Sequence, residues 1–382
     1  MSTETHLSIV WSAARASEKS ILSELGKNFK ILKVYEVHWR EDSFINNLQR
    51  FYSHSQFNLK KRKLKRLMSS KAKHCGKAPF LVIVFEDLKP TFQNRPTSSG
   101  YRRVNSNVFD FKQKLRSDLG GGHIIHATDS VKETNKDLTL LTGLNLQDFK
   151  KLNSDEWSGR IDKIENNVFG FNGFKDISEL FYLLNSTLDY VVLRNFEEFP
   201  DKIVLNEHSD VDLLVENKNI LVYTVGAEPV FFQNYRVHYT IIIGGKKVPF
   251  DIRYIGDDYF DKQWQIKVLK SKVFEKNTFY RPNQIEYFYS LLYHALIHKP
   301  SFSKDYKSRL NRIGDQIEKI RPTMQSLKAY MIQNNYRFCE PKDFSVYYNI
   351  NSSKINFKRK VHCIYLPKLK RSIKKFTKIV NH

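Results

Sequence analysis

The spacing of apolar and polar positions divides the chain into two stretches of mixed strands and helices. Residues 6–10 read as extended, 14–25 as helical and 29–37 as extended again. A basic helical stretch follows. Then comes Phe-Leu-Val-Ile-Val-Phe at 80–85, whose unbroken β-branched and aromatic content predicts a buried strand. Residues 152–173, rich in Asn, Ser and Gly, read as a connecting loop. Beyond it 177–184 predicts a helix, 190–194 a strand and 208–215 a second strand, while Gly244-Gly245 marks a hairpin leading into 248–253. Residues 287–298 predict an amphipathic helix rich in aromatics. The fold class is therefore α/β in the broad sense (α+β): a sandwich with a mostly antiparallel sheet, then a mixed sheet, then a helical part. The domain spans expected are 1–150, 174–300 and a helical extension at 301–382.

Composition bounds this picture. At 382 residues and 41% hydrophobic content the chain supports at least two cores. Lys and Arg number 63 against 40 Asp and Glu, a net charge of +23, so the partners expected are polyanions: nucleotides, nucleic acid or an anionic membrane surface. Cys75, Cys339 and Cys363 give neither a disulfide framework nor a zinc pattern, which fits a reducing compartment. The first residues lack the basic and apolar regions of a signal peptide, no apolar run is long enough to span a membrane, and a cytoplasmic location is expected. After Asp343 no further acid occurs. In the last stretch, 366–380, Leu369, Ile373, Phe376 and Ile379 alternate with Lys368, Lys370, Arg371, Lys374, Lys375 and Lys378. At helical spacing this is either an interfacial helix on the inner face of a membrane or a solvated basic tail.

Two constellations carry chemistry. The first is His-Ala-Thr-Asp-Ser-Val-Lys-Glu-Thr-Asn-Lys-Asp-Leu at 126–138. A neutral imidazole is a good nucleophile toward a phosphoryl group once an acceptor holds its other nitrogen. Asp137 is the right residue type for that role. The stretch resembles the catalytic segment of nucleoside diphosphate kinases, H-G-S-D-S-x-E-x-A-x-x-E-I. Ala-Pro-Phe-Leu-Val-Ile-Val-Phe-Glu-Asp at 78–87 looks like the same family's G-P-V-V-A-M-V-W-E-G, and Arg-Ser-Asp-Leu at 116–119 like its R-G-D-F. The resemblance implies a ferredoxin-like N-terminal sandwich in which His126 accepts phosphate, Asp137 orients it, and Tyr52 and Arg116 bind nucleotide or phosphate. Arg95 is a second arginine for phosphate. The chain departs from the pattern at Trp11-Ser12-Ala13, where the family has K-P-D and its phosphate-binding lysine, and at His123, where it has asparagine. The competing account of His126 is a packed core histidine. The basic run at 60–66 is a solvated face or a surface that steers anions.

The second constellation is His-Ser-Asp-Val-Asp-Leu-Leu-Val at 208–215, followed by Val-Pro-Phe-Asp-Ile-Arg at 248–253. Strand alternation puts Asp210 and Asp212 on one face and turns Asp251 outward, away from the core, where it completes a three-carboxylate site for a hard cation. This resembles the polymerase-β-like nucleotidyltransferase superfamily, with Arg194-Asn195 standing where that family has its G-S turn. The resemblance implies Mg2+ (or Mn2+) held by Asp210, Asp212 and Asp251, and a nucleoside triphosphate or nucleotide-activated substrate contacted by Arg194. Fukutin-like and phosphocholine-transferase relatives share this fold. His294 and His298, four apart on one helix face, read as packed or phosphate-facing rather than as metal ligands, and Lys299 as a phosphate contact or surface charge.

The function expected is a nucleotide-dependent phosphoryl or nucleotidyl/phospho-alcohol transferase, with a lipid-linked glycan of cell-surface biosynthesis as one acceptor. The alternatives are a nucleic-acid-binding or RNA-modifying nucleotidyltransferase and a non-catalytic nucleotide-binding protein.

Overall fold

The computed structural model describes residues 3–56, 59, 61–97, 100–201, 210–317, 319–349, 359 and 361. Lys60, His208, Ser209, Cys363 and the basic 366–380 segment, singled out above, lie outside the described residues. The chain forms two compact units: residues 1–174 with 182–187 and 219–226, and residues 175–181, 188–218 and 227–382. Both are mixed α and β, the α+β class expected from the patterning. No helix among the described residues is long and apolar enough to cross a membrane.

In the first unit, strands β1 (Glu4–Val10), β2 (Lys30–Val37), β3 (Phe80–Asp87), β4 (Ile125–Ala127) and β5 (Ile161–Ile164) form one sheet in the order β4-β1-β3-β2-β5. All neighbours are antiparallel except β5, which joins β2 in parallel. The apolar run of β3 is buried from Phe80 to Phe85 because helices cover both faces of the sheet. On one face α1 (Glu18–Asn28) and α4 (Ser106–Asp118) send Ile21, Leu25, Val108 and Leu115 into a core with Leu81, Ile83, Phe85, Ile125 and Ala127. On the other, α2 (Phe44–Phe51) packs Phe44 against Trp11, and Trp11 stacks in turn on Phe80. The side-chain period of two sends His126 to this second face, since Ile125 and Ala127 on either side of it belong to the first.

In the second unit β6 (Tyr190–Arg194), β7 (Val211–Val215), β8 (Glu228–Pro229), β9 (His238–Ile243) and β10 (Lys246–Tyr254) are ordered β8-β9-β10-β7-β6. The hairpin between β9 and β10 turns on Gly244 and Gly245, at φ 57° and 73°, the left-handed values a two-residue turn of this kind requires at both positions. The β7–β10 pair is parallel and the remaining pairs are antiparallel, a mixed sheet as expected. The aromatic helix α6 (Gln284–Ile297) is not amphipathic: from Glu286 to Ala295 every residue is buried. Its polar positions are absorbed by internal partners, as where Glu286 accepts hydrogen bonds from Trp264 and Tyr330 at 2.7 and 2.9 Å.

Candidate functional site

In the first unit the functional residues are placed by an edge strand and the helix that follows it. His126 sits in β4, opposite Ile9 of β1. Helix α5 (Val131–Thr142) begins at Ser130, whose side chain accepts the Glu133 N–H while the Glu133 carboxylate accepts the Asp129 N–H, so both ends of the turn are tied. That start brings Asp137 under the imidazole. Asp137 Oδ2 lies 3.1 Å from His126 Nε2, and Asp137 Oδ1 lies 2.8 Å from the Lys136 ammonium. Burial alone would push the Asp137 carboxyl up, but Lys136 and the His126 hydrogen bond outweigh it and hold it below the usual carboxylate range. An ionised Asp137 assigns the proton to Nε2 and the lone pair to Nδ1. The His126 side chain retains 15% exposure against none for Asp137.

Two more expected residues come to the same place. The Tyr52 ring meets His126 edge to face with centroids 6.0 Å apart, and its hydroxyl is buried without a hydrogen-bond partner among the described residues. Arg116 donates Nε and Nη2 to the Ile125 carbonyl at 2.9 and 2.8 Å, which fixes the guanidinium one residue from His126. Arg95 is not brought there. It lies on an exposed hairpin, where Nε and Nη2 bind both oxygens of Asp110 at 2.8 and 2.7 Å.

Patterning missed Phe51, whose ring lies 5.8 Å from His126, and Lys71 of α3 (Lys61–Cys75), whose ammonium sits 3.9 Å from the Tyr52 ring centroid. Lys71 lies on the same helix but beyond the basic run at 60–66, and nothing in its spacing singles it out. Trp11, where the resemblance expects lysine, is wholly buried among Trp39, Phe44 and Phe80.

The loop before β4 is pinned by α3. His123 N donates to His74 Nε2 at 3.2 Å, and Gly122 holds φ +81° with His74 so close that an added Cβ would stand 2.3 Å from that nitrogen. Gly122→Ala should therefore cost roughly 1–3 kcal/mol in urea unfolding, through backbone strain and the displaced imidazole.

In the second unit, register brings the acids together. Asp251 of β10 is the parallel partner of Asp212 in β7, Asp212 is the antiparallel partner of Arg194 in β6, and Asp210 immediately precedes β7. Asp251 does not point outward to solvent as alternation implied. Asp212 and Asp251 are 2% and 7% exposed, because this face is covered as well. Arg194 is ion-paired with Asp212, Arg253 Nη2 lies 3.3 Å from Asp251 Oδ2, and the Tyr259 ring covers Arg253 at 4.1 Å. His238 Nε2 lies 3.4 Å from Asp251 Oδ1, while its Nδ1 is 3.7 Å from the buried Asp343. His238 was findable, since counting outward from the Gly244-Gly245 turn sets it opposite Asp251. Asp343, far along the chain, carried no such signal.

Burial outweighs Arg194 and pushes the Asp212 carboxyl up to about 7, with Asp251 and Asp210 adding to the shift; Asp210 is raised too, by burial and then by Asp251. Asn195, following Arg194, holds φ 59°, and its side chain accepts from Arg309 at 3.0 Å. His294 and His298 are packed. His294 Nδ1 lies 2.5 Å from the Tyr259 hydroxyl, and His298 stacks on that ring at 4.2 Å.

Carboxylate oxygens suit Mg2+ or Mn2+, and Asp251 Oδ1, buried and accepting no hydrogen bond among the described residues but with His238 Nε2 3.4 Å away, is the observation that fits a cation. Arg194 and Arg253 occupy one oxygen each of Asp212 and Asp251. Among the described residues the group whose ligand atoms all come within 4.8 Å of one another is instead His126, Glu133 and Asp137. There Lys136 and the Asp129 N–H already hold the two carboxylates.

No protein-family model matches the chain, and no curated protein matches it. Among solved structures it is similar to the nucleoside diphosphate kinase of Aquifex aeolicus, at 15% identity and a TM-score of 0.24 over 36% of this chain and 93% of that one. It is also similar to an NDP kinase from Pyrobaculum aerophilum, at 17% identity and a TM-score of 0.24 over 39% of this chain and 99% of that one. At these values the likeness says nothing of activity.

Proposed function

We propose that the first unit transfers a phosphoryl group from a nucleoside triphosphate by way of His126. The observation that carries this reading is the buried Asp137 carboxylate held against His126 Nε2 while the ring keeps partial access to solvent. The Nδ1 lone pair attacks the terminal phosphorus, the bond to the bridging oxygen breaks, and the nucleoside diphosphate leaves with that electron pair. Asp137 supports the imidazolium-like ring that results. Arg116 and Tyr52 border the position the phosphoryl group would take. A packed core histidine would need neither partial exposure nor a buried ionised acid on one nitrogen. In a thermal melt, a triphosphate at a hundredfold excess over its Kd should add about 2.7 kcal/mol and raise the Tm. A Tm unmoved by every nucleotide tried would end this reading.

A second reading concerns the other unit and is favoured by the Asp212–Asp251 register pair. It is nucleotidyl or phospho-alcohol transfer of the polymerase-β-like kind. Mg2+ or Mn2+ held by Asp210, Asp212 and Asp251 would activate the attacking oxygen and neutralise the leaving phosphate. Arg194 and Arg253 balance the acids in the absence of that charge, and Lys299, whose ammonium burial holds below the usual lysine range, shares the electrostatic environment of all three. A lipid-linked glycan acceptor rests on the resemblance to fukutin-like and phosphocholine-transferase relatives and on the basic 366–380 stretch, an anionic membrane surface on that stretch and the net charge of +23, and a nucleic-acid partner on that charge with the aromatic content. A salt titration separates them: steep loss of oligonucleotide affinity supports nucleic acid, and no binding at physiological salt supports a small-molecule or glycan acceptor.

A further inference from the structure

We infer that Lys71, a residue of the basic helix α3, is the cation that together with Arg116 binds the terminal phosphate presented to His126. The inference rests on the phosphoryl-transfer reading above and names the phosphate-binding residue of that same site. Three placements support it. The Lys71 ammonium lies over the Tyr52 ring at 3.9 Å, and the same ring stands perpendicular to His126 with centroids 6.0 Å apart. Arg116 is fixed one residue from His126 by the Ile125 carbonyl. Helix α3 is fastened near Lys71, where the Cys75 thiol contacts the His123 carbonyl at 3.5 Å and His74 accepts the His123 N–H, so Lys71 is positioned by its neighbours in the helix.

Among the described residues neither Lys71 nor Arg116 is ion-paired with a carboxylate, and the partner of Lys71 is an aromatic face. Burial, then the neighbouring Arg116, depress the Lys71 ammonium, while the thiol of Cys75 acts the other way. Two cations at partial burial beside an unpartnered Tyr52 hydroxyl are mutually unfavourable until an anion arrives. A phosphate between them would accept from the ammonium and the guanidinium.

The test compares Lys71→Met and Lys71→Arg with wild type in two assays on the full chain. In the first, His126 labelling is followed against triphosphate concentration. Lys71→Met should raise the half-saturating concentration roughly ten- to hundredfold, as expected for one lost charge-assisted hydrogen bond, and Lys71→Arg should recover most of that loss. The second measures tripolyphosphate binding by calorimetry without divalent ions, with Lys71→Met weakening it by a similar factor. Labelling and binding that match wild type in Lys71→Met would overturn the inference. So would a loss that Lys71→Arg fails to recover, because it would mark a packing role. If wild-type His126 takes no label, the transfer reading falls, and tripolyphosphate binding still decides the role of Lys71.

Discussion

Incubated with a nucleoside triphosphate and Mg2+, the protein should acquire an acid-labile, alkali-stable phosphate that His126→Ala abolishes. The expectation follows from the tautomer that Asp137 imposes: with Nε2 donating to Oδ2 at 3.1 Å, Nδ1 holds its lone pair. Asp137→Asn should slow labelling by about a hundredfold or more, because an amide supports the developing cation poorly and can select the wrong tautomer. It should also destabilise the first unit by about 3 kcal/mol, since Lys136, itself buried, loses the carboxylate it pairs with at 2.8 Å. The two effects separate by temperature. If label persists at full rate in His126→Ala, His126 is a packed histidine and the transfer reading is wrong.

The opposite stability response is expected at Asp212. Its folded-state carboxyl is pushed up to about 7, above an unfolded value near 3.9, so between these values the folded state holds the extra proton. Stability of the metal-free protein should then fall as pH rises through that window, because the unfolded state binds fewer protons there. Asn mimics the protonated acid. Asp212→Asn should match wild type near pH 4 and exceed it by about 4 kcal/mol at pH 8, read from urea midpoints at each pH. The same substitution should abolish any metal-dependent transfer by the second unit, the trade of stability for function that clustered acids represent. Equal pH profiles for the two proteins would show that Asp212 is ionised throughout as the partner of Arg194. Retained transfer would remove it from the chemistry.

How much of this was legible in the residues differs between the two sites. The β3 run at 80–85 and the Gly244-Gly245 hairpin are local signals: each depends on backbone preference or turn geometry within a few residues. They set the order of strands and helices, and with it the α+β class. His126 and Asp137 were read from the resemblance carried by 126–138, and the fold brings them together because strand, turn and helix lie within twelve residues. The hairpin count that sets His238 opposite Asp251 is of the same kind.

Packing between distant segments decided the rest. Sequence alternation turned Asp251 outward, but alternation tells only which side of a sheet a residue takes, and here both sides are covered. It could not show that Arg194 and Arg253 would meet the acids, or that Asp343 would reach His238. The 287–298 stretch read as amphipathic because tyrosine and histidine count as polar in a pattern, whereas the fold buries them and gives Tyr287 and His294 internal partners in Glu197 and Tyr259. Lys71 shows the same limit most clearly. A lysine on a basic helix is a solvated charge in one dimension, and only the placement of Tyr52 beneath it and Arg116 nearby makes it a phosphate ligand to test. Local chemistry selects the elements, while the charge, burial and neighbours of a functional side chain depend on which elements meet, and no spacing along one chain encodes that.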